Sequence, residues 1–104
     1  RTGVLMFLRE IPTGPNDPTS DFWGELEDGL ERHFRDKPVA IAWGMQDRAF
    51  TPEVLEDLWL GTFPDAVVTR VPDAGHFVQE DAYEQVVPAL LAHLDRVSIA
   101  VEAA

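Results

Sequence analysis

Two residues of this sequence, Asp47 and His76, have side chains and positions suited to acid–base chemistry. A neutral imidazole can accept a proton near neutral pH, and a carboxylate beside its other nitrogen fixes the tautomer and stabilises the imidazolium. An acid that orients a histidine makes up two thirds of a catalytic triad. The alternative is that both are ordinary loop residues, since Asp is favoured in turns for conformational reasons alone.

The segments before these two residues are predicted to be strands joined by a helix. Residues 39–43 are apolar throughout, residues 67–71 are rich in β-branched side chains, and residues 52–60 have a helical composition. This order predicts a βαβ crossover, and therefore an α/β fold with parallel strands at about 39–43 and 67–71. Because open parallel sheets place their sites at the carboxyl ends of the strands, we expect Asp47 and His76 to lie close together.

The crossover helix has predictable ends. Pro52 suits its first turn, with Thr51 or Asp47 as the cap. Gly61 is predicted to stop the helix by adopting a left-handed conformation. The residues predicted to form the buried side of this helix are Leu55, Leu58 and Trp59.

The two polar loops, considered together, resemble a known family. Residues 43–47 have the sequence WGMQD and residues 73–77 have the sequence DAGHF. In this order and at this spacing they resemble the last two strand loops of the α/β-hydrolase fold. The most similar branch contains the haloalkane dehalogenases and the related β-lactone decarboxylases of olefin biosynthesis. Phe50, the turn at 63–66 and the Gln–Glu–Asp segment at 79–81 support this resemblance.

The resemblance extends over about residues 5–95 and implies the C-terminal βαβα portion of an α/β-hydrolase sheet. It implies that Asp47 is the acid and His76 the general base of a triad, in the family's chain order of nucleophile, acid and histidine. For the dehalogenase branch it implies attack by a carboxylate, an ester intermediate, and hydrolysis by a water that His76 activates. The expected parent protein is a hydrolase that acts on a small apolar substrate.

The nucleophile of such a triad is missing from this sequence. It should lie upstream of the acid in an elbow of the G-x-S-x-G type, or with Asp in place of Ser, between a strand and a helix. The glycines before Asp47 flank no such elbow, and Ser20 is predicted to lie in a loop. We therefore expect the C-terminal third of a longer enzyme, inactive as this chain alone. The alternative is a non-catalytic truncated hydrolase remnant that acts as an oligomerisation or interaction module.

Composition narrows the possible partners. A net charge of −11 argues against unspecific binding to nucleic acid or to anionic membranes. The absence of cysteine excludes disulfides and thiolate metal sites, and the three histidines have no metal-ligand spacing. We predict no cofactor and no metal, a cytoplasmic location, and no membrane association. The N-terminal remainder of the hydrolase or a second copy of the chain is the expected protein partner.

The first part of the chain is predicted to connect a cap to the main sheet. This connecting segment covers residues 1–20, the hydrolase portion covers residues 21–97, and a frayed tail covers residues 98–104. Residues 3–9 are compatible with a helix end or a strand. Ser20 or Asp21 is predicted to cap a helix that extends to about residue 34. Its predicted apolar stripe consists of Phe22, Leu26, Leu30 and Phe34.

The last helix is predicted at about residues 82–96, with Asp81 as its cap and a bend or late start caused by Pro88. His33 and His93 lie on predicted helices and are expected to be structural or to face solvent. The predicted apolar face of the last helix consists of Val86, Val87, Leu90, Leu91 and Leu94. Two alternatives are open for Phe50, Phe77 and Val78: they line an apolar pocket, or they belong to the core.

Overall fold

A computed structural model describes residues 2–103 of the chain, which divide after Arg35 into two compact units. The first unit contains helix α1, Thr2–Arg9, and helix α2, Ser20–Phe34. Residues 3–9, for which the sequence left two possibilities, are therefore helical. All four members of the predicted α2 stripe are exposed.

The start of α2 differs from the prediction. Thr19, rather than Ser20 or Asp21, occupies the N-cap position, and its side chain makes no capping hydrogen bond. The reason is local, because the Thr19 hydroxyl donates to Asp17 Oδ1 at 2.8 Å. The Ser20 hydroxyl is engaged as well, since it donates to the carbonyl of Gly14 at 2.6 Å.

The second unit is built on the predicted strand–helix–strand crossover. Strand β1, Ala40–Gly44, lies parallel to strand β2, Val67–Val71. The register pairs Ala40 with Val67 at one end and Gly44 with Val71 at the other. Strand β1 begins one residue later than predicted, and β2 has the predicted bounds. Among residues 2–103 these two strands form the whole sheet.

The crossover helix is interrupted by a wider turn. It consists of α3, Pro52–Val54, a π-helical turn, Leu55–Trp59, and α4, Leu60–Thr62. The Thr51 side chain makes no capping hydrogen bond, although Thr51 occupies the N-cap position and Pro52 the first turn. A π-helical turn has one more residue than an α-helical turn, so it changes which residues share a face.

Two predictions about this helix are wrong, and the change of phase accounts for the first of them, the exposure of Leu58. Leu55 is fully buried and Trp59 half-buried, as predicted, but Leu58 is 56% exposed. Gly61 does not end the helix with a left-handed residue, because it lies within α4 and no described glycine has a positive φ. The helical segment ends at Phe63, whose φ of −124° and ψ of 73° are not helical.

Two helices follow β2. The short helix α5, Val78–Asp81, is separated by the non-helical residue Ala82 from the long helix α6, Tyr83–Ala103. Helix α6 continues beyond the predicted end near residue 96, because residues such as Ala100 and Ala103 favour helix. Pro88 lies inside α6, in its second turn, so the helix does not start late at the proline.

The buried part of the second unit lies close to the strand ends. Val71, Ala74 and Ala82 form one buried cluster, with Val78 packed against it. In contrast, most of the predicted apolar face of α6 is open. Val86 is half-buried, whereas the four exposed members, between 47% and 56%, are Val87, Leu90, Leu91 and Leu94.

Candidate active site

The loops that follow β1 and β2 leave the same edge of the sheet, since Gly44 and Val71 are the last residues in register. Hydrogen bonds join the two loops directly. The Met45 amide donates to the Val71 carbonyl at 2.9 Å, and the Gln46 amide donates to the Ala74 carbonyl at 2.9 Å. The Gln46 side chain adds a third link, because its Nε2 donates to the Pro72 carbonyl at 3.0 Å. The acid loop and the histidine loop are thus held as one structure.

Gly44 allows the two loops to approach this closely. A Cβ atom at this position would lie 2.1 Å from the Gly75 carbonyl oxygen and 2.7 Å from the Ala74 carbonyl oxygen. Real Cβ atoms are essentially never found so near to backbone atoms. Space, rather than an unusual backbone conformation, therefore requires glycine at the end of β1.

The Asp47 carboxylate is almost completely buried and uses both of its oxygens. Oδ1 accepts hydrogen bonds from the backbone amides of Ala49 at 2.8 Å and Phe50 at 2.9 Å. Oδ2 lies 2.8 Å from Nδ1 of His76. The Asp47 amide donates to the Gly44 carbonyl at 3.1 Å, which fixes the turn that carries the side chain. The carboxylate therefore has little freedom to rotate away from the histidine.

These contacts set the charge of Asp47. Burial tends to raise the pKa of its carboxyl, but the hydrogen bonds that it accepts outweigh this effect and lower the pKa below 3.8. The Phe50 amide contributes most to this lowering, followed by the His76 side chain and the Ala49 amide. Hydrogen bonds to a carboxylate favour its charged form, so Asp47 is an anion at neutral pH.

The His76 ring has a defined orientation. Nδ1 faces Asp47, so in the neutral ring an Nδ1–H that donates to this carboxylate leaves the lone pair on Nε2. The side chain is 45% exposed, and the Phe50 ring stacks on it at 5.3 Å between centroids with 28° between the ring planes. Phe77 contacts the same ring edge-on, at 5.2 Å and 82°.

A small cavity of about 150 Å³ lies beside this pair. Phe50 and Val78 line this cavity, which agrees with the alternative that they reach an apolar pocket. Phe77 is not among its lining residues. The lining residues are Ala42, Trp43, Gly44, Asp47, Phe50, His76 and Val78. Apart from the Asp47 and His76 side chains, this lining is mainly apolar.

Sequence reasoning missed two residues that hold the loops. The Asp81 carboxylate does not cap α6 as predicted, because it lies at the end of α5 and accepts a hydrogen bond from the Gly75 amide at 3.1 Å. Gln46 belongs to the WGMQD motif, but the motif does not predict its hydrogen bond to the Pro72 carbonyl. No local pattern signals either contact, since both join residues from different loops or elements.

The remaining histidines lie away from this pair in sequence. His33 is exposed on α2, and His93 is half-buried on α6, where its buried Nδ1 has no hydrogen-bond partner within the described residues. No group of three or more His, Cys, Asp or Glu side chains in residues 2–103 is arranged to hold a metal ion. Within the same residues, no helix is both long enough and apolar enough to cross a membrane.

The chain belongs to the alpha/beta hydrolase fold family, which it matches over residues 2–83. The parallel strands with flanking helices are consistent with part of such a fold. The sequence-based assignment to a C-terminal portion of this fold is confirmed by the relatives that the chain matches.

Two kinds of curated relative are similar to this chain. A cis-3-alkyl-4-alkyloxetan-2-one decarboxylase of Xanthomonas campestris pv. campestris is 36% identical over 98 residues, which are 92% of this chain and 31% of the relative. A protein of the same name from Shewanella oneidensis is 32% identical over 84% of this chain and 27% of its own length. Haloalkane dehalogenase 2 of Mycobacterium bovis is 42% identical over 53% of this chain and 19% of its own length.

The chain thus spans less than a third of the length of these relatives. No solved structure matches it significantly.

Proposed function

We propose that this chain supplies the acid and the general base of a hydrolase catalytic triad, with Asp47 as the acid and His76 as the base. The observation that carries the proposal is the 2.8 Å contact between Asp47 Oδ2 and His76 Nδ1 at the adjoining ends of two parallel strands. Open parallel sheets place their sites at this edge. The family of the chain and its decarboxylase and dehalogenase relatives favour the same chemistry.

The proposed mechanism assigns each nitrogen of His76 one task. Nδ1–H donates to the Asp47 carboxylate, which holds the neutral tautomer and balances the positive charge of the imidazolium. Nε2 carries the lone pair and takes a proton from water, which can then attack an ester formed on the nucleophile. The proton that leaves the water moves to Nε2 and then to the leaving oxygen. With a serine nucleophile, the bond that breaks joins the acyl carbon of the substrate to the serine oxygen. With an aspartate nucleophile, it joins the carboxyl carbon of the aspartate to the substrate oxygen, which leaves as an alcohol.

The nucleophile itself is proposed to come from polypeptide outside this sequence. The choice between a serine and an aspartate depends on that residue, because both kinds of nucleophile work with the same acid and histidine. The substrate that we propose is a small apolar molecule with one carbon that the nucleophile attacks. The names of the relatives suggest an oxetanone ring or a carbon–halogen bond as the reactive group, and the apolar lining of the cavity beside His76 suits such a molecule.

The test uses the protein expressed from its native gene, whose intact mass is measured first. A mass about three times 11.6 kDa would fit a chain of which this sequence is 31%, as in the relative from Xanthomonas. Turnover is then assayed with haloalkane, oxetanone and ester substrates. We expect His76→Gln to lower kcat by about 10³-fold or more with little change in Tm, because the side chain is half exposed.

A matched control is His33→Gln, which removes an exposed histidine from α2 and should leave turnover unchanged. Turnover that survives in His76→Gln would exclude His76 as the base.

A second candidate function is an interaction module without catalysis. The observation that favours it is the openness of the second unit. Each described strand has one edge without a strand partner, and α6 leaves seven large apolar or aromatic side chains exposed. Exposed strand edges and apolar surface promote pairing with another chain. The partner proposed for this surface is the remainder of the hydrolase or, when that is missing, a second copy of this chain.

A further inference from the structure

We propose that Phe50 is a positioning residue for the Asp47–His76 pair, an inference that rests on the function proposed above. Phe50 contacts this pair through its backbone and through its ring. Its amide donates to Asp47 Oδ1 at 2.9 Å, and its ring stacks on the imidazole of His76 at 5.3 Å. Phe50 is therefore in contact with both the acid and the base.

A third contact fixes Phe50 to the sheet. The indole Nε1 of Trp43 donates to the Phe50 carbonyl at 3.1 Å, and Trp43 is a residue of β1 in register with Arg70 of β2. Residues 48–50 have no regular secondary structure, so this bond ties an irregular segment to a rigid element. Positions held by regular elements are defined more tightly than positions on loops alone.

The ring has a task that its burial does not explain. Phe50 is 54% exposed, so it contributes little to a core, yet its plane lies within 28° of the imidazole plane. A stacked ring covers one face of the imidazole, excludes water from that face, and opposes rotation of the imidazole away from Asp47. When His76 carries a positive charge, that charge lies over the negative face of the aromatic ring, which attracts it.

Phe77 does not offer the same combination. The planes of the two rings are 82° apart, so Phe77 does not lie flat on the imidazole as Phe50 does. Of these two aromatic neighbours of His76, Phe50 is thus the one that covers a face of the imidazole and opposes its rotation.

The experiment compares variants of the protein expressed from its native gene. Phe50→Leu removes the ring and keeps both backbone hydrogen bonds, Phe50→Tyr restores an aromatic face, and Trp43→Phe removes the indole donor without changing Phe50. Phe22→Leu is the matched control, because Phe22 is an aromatic residue of similar exposure, 58%, on α2. The first readout is the downfield NMR resonance of the His76 Nδ1 proton near neutral pH, which broadens when water exchanges that proton faster. The second readout is kcat and KM.

We expect Phe50→Leu to broaden the Nδ1 proton resonance and to lower kcat about two- to fivefold with little change in KM, the range expected from an exposed cation–π contact. Phe50→Tyr should restore both, Trp43→Phe should broaden the resonance, and Phe22→Leu should change neither. An unchanged resonance in Phe50→Leu overturns the inference. If Phe50→Leu does not fold, an unchanged resonance in Trp43→Phe overturns it.

The two readouts separate this inference from the proposed function. A resonance that broadens as expected in a protein without turnover on any of the substrates supports positioning by Phe50 and counts against hydrolysis. If turnover depends on His76 but the Nδ1 proton resonance does not change in Phe50→Leu, hydrolysis is supported and Phe50 has no positioning role.

Discussion

The side chain of Asp47 illustrates how one residue meets two structural demands. Aspartate is common in turns because its oxygens accept nearby backbone amides, and Oδ1 accepts two of them here. The contact with His76 uses the other oxygen, Oδ2. The turn interpretation and the catalytic interpretation are therefore compatible, since the turn bonds orient the oxygen that faces the imidazole.

The lowered pKa of Asp47 leads to a pH-dependent contribution to stability. A carboxyl whose pKa is lower in the folded state stabilises the fold fully above its unfolded pKa, and this contribution is lost as the pH falls through the folded value. We expect wild type to melt at a higher temperature than Asp47→Asn above pH 3.8, and the difference to shrink as the pH falls below that value. Thermal melts across this range measure the difference.

The control for general charge effects is Asp65→Asn, at an exposed turn position of the same unit. A difference between wild type and Asp47→Asn that stays constant from neutral to acidic pH would contradict the assigned role of the hydrogen bonds to Asp47.

At the level of elements, local sequence predicted what depends on local chemistry. Gly44 and Pro72 indicate the ends of the two strands, and Pro52 indicates the start of the crossover helix. Parallel pairing of the strands then places both loops at one edge of the sheet. The π-helical turn at Leu55–Trp59 could not be predicted, because the same residues suit an α-helix and the choice depends on packing. For the same reason the exposure of Leu58 and the anchoring of Gly75 by Asp81 were missed.

Because the two loops approach each other closely at Gly44, adding a single methyl group there should destabilise the protein. In Gly44→Ala the new Cβ would meet backbone carbonyls of residues 74 and 75, which cannot move without breaking the links between the loops. We expect a loss of stability of about 1–3 kcal/mol or more, as for other overpacked sites. We also expect the contact between Asp47 and His76 to lengthen. Denaturant unfolding measures the first effect and the His76 Nδ1 proton resonance the second.

Gly61→Ala is the matched control for this substitution. Gly61 lies in α4, and among the described residues no atom beyond its chain neighbours and the backbone of its own helix lies within 4 Å of an added Cβ. Alanine is the better helix former, so this variant should gain up to about 1 kcal/mol. Equal stability of the two variants would show that the space around Gly44 is not limiting.

At the scale of the molecule, the second unit buries little of the apolar surface of its two-stranded sheet. Parallel sheets are normally covered on both faces, and isolated pairs of strands are marginally stable. Here the residues of β1 and β2 other than Gly44 and Val71 are exposed or partly exposed, and a groove of about 270 Å³ opens between one sheet face and α6. Leu90, His93 and Arg96 are among the α6 residues that line this groove. The sequence predicted apolar strands and an apolar helix face correctly as patterns, but which of these residues are covered depends on packing that no local pattern describes.

This open surface predicts the behaviour of the 104-residue chain when it is produced alone. We expect it to self-associate, with a mass in solution above 11.6 kDa, because apolar side chains on α6 and the strand edges gain burial by contact with a second copy. Light scattering coupled to size-exclusion chromatography measures this mass. Leu90→Glu places a charge in the groove and should reduce the associated fraction. Val101→Glu, at a 70% exposed position near the end of the same helix, should reduce it less. A monomer of 11.6 kDa that melts in a single sharp transition would mean that the chain is stable without any further cover for its sheet.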